Sequence, residues 1–283
     1  MIKHSLICVA LGAALLTTTV ETAEADGRRT NELADDKAVR HRKLLVKQRF
    51  EFAPLFESTI NADYRHVIGG GAKLEYHLSD MLSIGVIGVG STSINTKLVN
   101  RIMDTLEDNP ANPREPSRRE LEVRLNSMPI HGAAYLSLTP WYGKLAAFSQ
   151  AYVAFDFYFQ AGVSYAKLKS DCPSMICSDT APGENKPGPG DETTPPDNDP
   201  NNDPPLNSGS RIGLYLAFGI HVFLNDFIAL DLTIRDYAFD DNPSGADFNA
   251  NLAVTDEDSR FLHHLFVGVG LSIMFPTKVK RTN

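Results

Sequence analysis

Three scarcities limit what this chain of 283 residues can be. It contains only three cysteines. Beyond the N-terminus it has no apolar run approaching the ~20 residues that a membrane-spanning helix needs, so any membrane crossing must be made by strands. It also lacks a basic excess, since its formal net charge is −8, and this argues against a nucleic-acid partner.

The N-terminus has the three parts of a secretory signal peptide. Lys3 supplies the positive charge, residues 7–16 form the short apolar segment, and residues 23–25 (Ala-Glu-Ala) fit the cleavage pattern. We therefore expect residues 1–25 to be removed on export, together with Cys8.

The two cysteines that remain are Cys172 and Cys177. In an exported chain such a close pair favours a local disulfide, because the compartment is oxidising. A metal site is not expected at this pair, because no histidine lies near it in the sequence. The composition predicts no cofactor.

Eight segments alternate apolar and polar residues with a period of two, which is the pattern of a strand with one apolar face. The last of them is the clearest, since its large apolar residues are separated mostly by glycine and serine. Its predicted lipid-facing residues are Leu265, Val267, Val269, Leu271, Ile273 and Phe275. The predicted strands are 49–59, 71–78, 82–90, 130–138, 153–165, 212–224, 227–237 and 261–275.

The connections between these strands are alternately short and long. Short turns are predicted at 79–81, 140–144 and 225–226, whereas most of the other connections are long and polar. One long connection contains a short amphipathic pattern at 98–106. Another, 171–210, is rich in Pro, Asp and Asn and is predicted to be a disordered loop.

Two local irregularities are expected within the strands. Ile87 and Val89 break the alternation of the third strand, which predicts a bulge near Gly88. Pro54 in the first strand has no backbone N–H to donate, which predicts a bulge or an interrupted ladder there.

These features predict an all-β fold, an eight-stranded antiparallel up-and-down transmembrane β-barrel with long extracellular loops. The barrel is expected over residues 49–276, with a charged periplasmic leader at 26–48 and a polar C-terminal tail at 277–283. A soluble lipocalin-like barrel also has eight alternating strands. Its outer face would carry many Lys, Glu and Thr, whereas the charges here are isolated. The membrane alternative is therefore favoured, in the outer membrane of a Gram-negative bacterium.

Polar residues on the inward faces define a predicted lumen network. Its two possible functions are a path for protons or ions and a salt-bridged plug, and the plug is favoured because side chains fill the interior of so narrow a barrel. The network consists of Glu51, Glu57, Lys73, Glu75, His77, Asp156, Tyr158, Asp231 and Arg235.

Candidate catalytic and metal groups are weak. His263 and His264 could belong to a lipid-modifying enzyme, but no Ser-His-acid arrangement can be identified from spacing. The acidic run at 197–203 lacks a complete calcium-loop motif. No catalytic residue and no metal ligand is predicted.

Four stretches carry a resemblance to a known family. They are VRHRKLLVKQRFEFAPLFESTIN, the hairpin GGGAKLEYHLSDMLSIGV, PWYGKL and FDFYFQAG. In them the chain resembles the small outer membrane β-barrel domain proteins of delta-proteobacterial (myxobacterial-type) genomes, and in architecture the OmpA- and OmpX-type barrels. The resemblance implies the fold and no agreed activity.

The function expected from these observations is that of a non-enzymatic outer-membrane barrel whose surface loops serve envelope integrity, adhesion or partner binding. The expected partners are outer-membrane lipid and lipopolysaccharide, the barrel-assembly machinery, and an envelope protein bound by the loops or the leader. The alternatives are a lipid-modifying enzyme, a narrow channel and a component of an envelope-spanning complex.

Overall fold

The computed structural model describes most of the predicted barrel, with gaps in its connections. The described residues are 46–107, 117–147, 151–171, 207–246, 248, 254 and 256–277. No helix among them is long and apolar enough to span a membrane. The signal peptide, most of the leader and tail, the acidic run at 197–203 and the Cys172–Cys177 pair lie outside them and stay predictions.

Eight antiparallel strands form one closed barrel in chain order, with β1 paired to β8. The predicted fold class, an eight-stranded up-and-down barrel, is confirmed. The strands are β1 Phe50–Thr59, β2 Arg65–His77, β3 Leu82–Asn95, β4 Ser127–Ala147, β5 Ala151–Lys169, β6 Gly209–Phe223, β7 Ile228–Asp241 and β8 Arg260–Phe275.

The strands are strongly staggered around the barrel. Following the pairing from Phe50 once around the barrel leads to Ile60, the residue directly after β1 and ten residues further along the chain. Such a stagger tilts the strands by roughly 35–45° to the barrel axis. Residues far apart in sequence are therefore brought to the same height inside the barrel.

The predicted bulge near Gly88 is wrong. β3 keeps one register against both β2 and β4 through this position. Ile87 and Val89 are buried in the interior, whereas Leu82 and Ile84 are exposed on the outer face. The apparent change of phase arises because the upper interior is itself apolar, so large residues line both faces of this strand.

The predicted turn at 140–144 is also wrong, because these residues continue β4. The pairing of β4 with β5 shifts by one residue between Leu138 and Trp141. Pro140 lies within this shift, where a missing N–H is tolerated. At Pro54 there is no bulge, because β1 keeps one register against both β2 and β8. The ladder with β8 is interrupted there, since Ala53 and Pro54 have no paired residue on that strand.

The two ends of the barrel differ in their connections. At the turn end, β2 and β3 are joined through 78–81 and β6 and β7 through 224–227. At the loop end lie the short connection 60–64 and the longer ones that follow β3, β5 and β7. β6 begins at Gly209, so the last two residues of the predicted loop 171–210 are strand residues.

The connection after β3 contains two helices, α1 Lys97–Thr105 and α2 Arg118–Arg124. Thr96 caps α1 by accepting a hydrogen bond from the backbone N–H of Val99, which is the usual role of threonine at this position. The guanidinium of Arg118 donates to the carbonyl oxygens of Met103 and Leu106, and so ties α2 to the end of α1. Sequence patterns indicated α1 but not α2, because only seven residues form it.

The outer face of the barrel is apolar on every strand. On β8, Val267, Val269, Leu271 and Phe275 are 39–48% exposed, and Leu265 and Ile273 share their phase with intermediate exposure. Large apolar residues occupy the equivalent outward positions of the other strands. An outward apolar band about 25 Å tall is the surface that meets lipid in barrels of this class.

Candidate functional site in the barrel interior

The structure places all nine residues of the predicted lumen network inside the barrel. None of them is more than 6% exposed. They lie on the inward faces of β1, β2, β5 and β7, and the period of two assigns each of them to that face. The strand stagger then determines which of these side chains meet.

Lys73 is at the centre of this network. Its Nζ lies 2.9 Å from a carboxylate oxygen of Glu51 and 2.9 Å from one of Asp231. A third carboxylate, that of Glu75, is 3.9 Å away, and the ring of Tyr158 lies 5.1 Å from the ammonium. One buried cation thus links carboxylates from β1, β2 and β7, which satisfies the requirement that a buried charge be paired.

Histidines pair with the carboxylates nearer the turn end. Nε2 of His77 lies 3.1 Å from Oε2 of Glu51. His221, which stacks on Tyr158 at 4.5 Å between ring centres, places its Nδ1 2.9 Å from Oδ1 of Asp156. These contacts extend the network to His77, the last residue of β2, and to Asp156 of β5.

A second cation organises the part of the network nearer the loop end. Nη1 of Arg235 lies 3.1 Å from Oε2 of Glu57, and Nη2 donates to the hydroxyl of Thr233 at 3.3 Å. The other oxygen of Glu57 is bonded to Nε2 of His131, whose second nitrogen lies 3.3 Å from the hydroxyl of Ser91. Both oxygens of this buried carboxylate are therefore occupied.

Neutral side chains donate hydrogen bonds to the carboxylate of Glu75. Ser83 and Tyr135 donate their hydroxyls to it, and the amide of Gln160 is 3.4 Å away. Gln160 in turn accepts from the hydroxyl of Tyr215 at 3.0 Å. The rings of Tyr135 and Tyr215 fill the lumen beside the network, and their hydroxyl groups reach its polar atoms.

Two of these tyrosines lie directly over glycines of the neighbouring strand. Tyr135 is paired across the ladder with Gly85, and Tyr158 with Gly219. A Cβ atom added at Gly85 would lie 2.6 Å from the Tyr135 ring, and one added at Gly219 only 2.4 Å from the Tyr158 ring. The glycines are therefore required because the rings occupy their side-chain space.

An apolar cluster closes the network at the turn end. Val46, Phe223 and Met274 are its largest buried members. Val46 belongs to the predicted leader, and its backbone N–H donates to Asp80 at 3.1 Å. The last residues of the leader are thus fixed against the barrel and contribute to its floor.

The interior network contains as many acidic side chains as lysine, arginine and histidine side chains together. The network holds five carboxylates, two permanent cations and three histidines, and each histidine is bonded to a carboxylate. These groups are Glu51, Glu57, Glu75, Asp156 and Asp231, then Lys73 and Arg235, then His77, His131 and His221. Paired groups of this kind rigidify an interior, although Nε of Arg235 has no hydrogen-bond partner among the described residues.

The network is continuous but is poorly suited to carry ions. Hydrogen bonds and ion pairs connect Lys73 to Arg235 through Asp231 and Thr233. A guanidinium stays protonated in proteins and cannot relay a proton. Two paired cations, Lys73 and Arg235, therefore occupy the lumen between its two ends.

Two clusters have the composition of metal sites. One contains Glu51, Glu75 and His77, and the other Glu51, His221 and Asp231. Nζ of Lys73 lies within 4.0 Å of a carboxylate in each cluster. Since an ammonium already neutralises these oxygens, the donors do not form an open metal site.

The two adjacent histidines near the loop end face opposite sides of the wall. His263 lies on the outer face, with Nδ1 2.6 Å from Oδ2 of Asp236. His264 lies on the inner face, with Nε2 3.0 Å from Oδ2 of Asp241. Within the described part of the chain, no serine hydroxyl is hydrogen-bonded to either histidine, so neither acid–histidine pair has the nucleophile of a hydrolase triad.

A cavity of about 400 Å³ lies above the network at the mouth of the barrel. Val67, Met128 and Leu168 contribute apolar lining, and Arg65 and Arg260 contribute cationic lining. It opens between the first connection and the ends of β4, β7 and β8, where ligand pockets of small barrels are commonly found.

Sequence reasoning did not include several members of the interior. His131, Tyr135, Gln160, His221 and Thr233 all lie at inward positions of the alternation and could have been assigned from their phase alone. Their partners could not, because each contact depends on the stagger between strands.

No family model and no curated protein matches the chain. Among solved structures, the chain is similar to the outer membrane protein OprG from Pseudomonas aeruginosa, at 9% identity and a TM-score of 0.38, over 81% of this chain and 96% of that one. It is also similar to Ail, the attachment invasion locus protein of Yersinia pestis, at 9% identity and a TM-score of 0.30, over 80% and 95%. A third similar structure is Ail of Yersinia pestis in complex with the heparin analogue sucrose octasulfate, at 10% identity and a TM-score of 0.30, over 80% of this chain and 96% of that one.

Proposed function

We propose that this chain is a non-enzymatic barrel protein of the outer membrane of a Gram-negative bacterium, closed by its own side chains. In this proposal the turn end faces the periplasm and the loop end faces outward. Its surface connections serve envelope integrity, adhesion or the binding of a partner protein. Outer-membrane lipid, lipopolysaccharide and the barrel-assembly machinery are its proposed general partners.

The contrast between the two faces of the wall carries this proposal. Outward positions such as Val269 and Leu216 are apolar and exposed, whereas inward positions such as Lys73 and Glu51 are charged and buried. A water-soluble barrel requires the opposite arrangement, with an apolar core and a polar outer face. The wall is therefore suited to a lipid surround and the interior to a polar plug.

The closed interior predicts that the purified, refolded protein has no stable conductance in planar bilayers. The fixed cations Lys73 and Arg235, and the apolar floor around Phe223, obstruct the lumen. A porin in the same bilayers supplies the positive control. Insertion is checked separately, because a folded outer-membrane barrel migrates differently on gels before and after boiling.

Three results would contradict the proposal at different points. Reproducible single-channel steps from heat-modifiable protein would overturn the closed lumen and favour the narrow-channel alternative. Identical mobility before and after boiling, with release of the protein in the soluble fraction, would overturn the membrane placement. Conversion of lipopolysaccharide to a product of different mass would favour the enzyme alternative.

A further inference from the structure

The outer rim of the barrel at the loop end carries charges of opposite sign on opposite sides. On the side of β7 and β8, the outward residues above the apolar band include Asp236 and Asp240, with His263 bonded to Asp236. On the side of β5 and of the helix that follows β3, the exposed residues at this level include Lys167 and Lys169 on the strand and Lys97 and Arg101 on the helix. The rim therefore has a basic side and an acidic side.

β5 changes from apolar to aromatic to basic along its outer face. Val163 and Tyr165 are exposed, and Lys167 and Lys169 follow them in the same outward phase. A tyrosine followed by lysines is typical of the boundary between acyl chains and headgroups. In the described part of the chain, neither lysine ammonium has a carboxylate partner.

The helix after β3 adds to the same side of the rim. Ile94 is 52% exposed at the end of β3, and Leu98 of α1 is 47% exposed, with Ile102 one turn further along. Lys97 and Arg101 border this apolar stripe on the helix surface. Val99 lies about 100° around the helix axis from Leu98 and is buried, so α1 packs through Val99 and leaves the adjacent stripe exposed.

These two groups of cations are close enough to act together. β3 and β5 are separated only by β4, and two interstrand spacings amount to about 10 Å. Lys169 is paired with Ser127 of β4, and the backbone N–H of the next residue, Met128, donates to the hydroxyl of Ser93 on β3, four residues before α1 begins. The stripe begins at Ile94, which shares the outward phase of β3 with the exposed Ile84 and Val86 of the apolar band.

We propose that Lys97, Arg101, Lys167 and Lys169 form a binding surface for the phosphate groups of an outer-leaflet glycolipid. In this basic rim, the ammonium and guanidinium groups bind phosphates, while Ile94, Leu98 and Ile102 contact the upper acyl chains. A lipid is the occupant because the cations lie directly above a lipid-facing surface and border an apolar stripe. A soluble protein partner would leave that stripe half in the membrane.

The test compares two double variants that remove the same charge. K167Q/K169Q alters the basic rim, whereas K47Q/K144Q alters two exposed lysines at the turn end. Each protein is held in a neutral detergent and titrated with lipid A carrying two phosphates, and bound lipid is counted by native mass spectrometry. Dephosphorylated lipid A and phosphatidylglycerol are titrated in parallel.

The expected result is retention of phosphorylated lipid A by the natural chain and by K47Q/K144Q. Retention by K167Q/K169Q should fall on the order of 10- to 30-fold, since each lysine near an anionic surface contributes measurably to binding. K97Q/R101Q should weaken it further when combined with this variant. The proposal would be overturned if the two double variants retained phosphorylated lipid A equally. It would also be overturned if the natural chain retained dephosphorylated lipid A as well as the phosphorylated form.

Equal retention of phosphatidylglycerol would overturn the glycolipid as the occupant, because that lipid also carries a phosphate. The inference rests on the proposed membrane placement, and the two can fail separately. All variants should retain heat-modifiable mobility, because the altered side chains are exposed. If the natural chain keeps heat-modifiable mobility but does not bind phosphorylated lipid A, the basic-rim proposal fails while the membrane placement stands.

Discussion

Replacing Lys73 by methionine should destabilise the folded barrel by roughly 3–5 kcal/mol, which is the usual cost of removing one partner from a buried ion pair. Lys73 is fully buried, and its ammonium lies 2.9 Å from both Glu51 and Asp231. Its loss leaves two buried carboxylates without their cation. Urea titration of the protein in lipid vesicles measures the free energy of unfolding.

Two further variants separate the loss of a charge from the loss of its pairing. The triple variant K73M/E51Q/D231N removes the cation together with its two closest carboxylates and should recover a large part of the stability. Lys144→Met, at an exposed position of β4, should leave the free energy of unfolding nearly unchanged. If K73M is as stable as K144M, the network does not hold the interior together.

Replacing Val269 by arginine should cost about 2–4 kcal/mol, the penalty for arginine on the lipid face of a barrel near the bilayer midplane. Val269 is exposed on the outer face near the middle of β8. In lipid its arginine has no water to solvate it, whereas in a soluble barrel the same change would be almost neutral. The same unfolding measurement in vesicles reports the difference.

The matched control is Phe261→Arg on the same face of the same strand. Phe261 is exposed near the loop end of β8, in ring contact with His263. Near the interface the arginine penalty falls to about 0–1 kcal/mol, so F261R should be tolerated. Equal costs at the two positions would show that depth in a bilayer does not determine them.

Except at Ile87 and Val89 of β3, where a bulge was wrongly predicted, alternation was sufficient to predict which face of a strand is inside. On β8, Gly268, Gly270 and Ser272 are buried and the residues between them point outward, as the spacing indicates. The fold class follows from the same signal repeated eight times. A period of two is a local property, and therefore one strand can be interpreted without knowing its neighbours.

The strand ends could not be predicted because glycines and proline are ambiguous there. β2 begins at Arg65, six residues before the predicted start, because Gly69 and Gly70 hide the alternation. Pro140 and Gly143 suggested a turn, but β4 absorbs Pro140 at a register shift and continues to Ala147. Proline and glycine are common in turns, but here the backbone pairing of residues 141–147 with β5 determines the structure.

The partners within the interior could not be predicted at all. Lys73 and Asp231 are 158 residues apart in sequence, and they meet only because the strands are staggered by ten residues around the barrel. His131 meets Glu57 for the same reason. Each strand contributes a correct inward residue, but the height at which it meets another depends on the closure of the whole sheet.

The most direct test of a lipid-facing wall around a closed interior uses tryptophan fluorescence. Trp141 is the only tryptophan of the chain, and it is exposed on the outer face of β4 near the turn end. In a Trp141→Phe background, Val269→Trp places a single indole near the middle of the band. The protein is refolded in vesicles whose lipids carry bromine at defined depths. We expect strongest quenching of Val269→Trp by deep bromines, strongest quenching of native Trp141 by shallow ones, and no quenching of Val269→Trp by aqueous iodide. Quenching of Val269→Trp by iodide, with no effect of brominated lipid, would contradict the account.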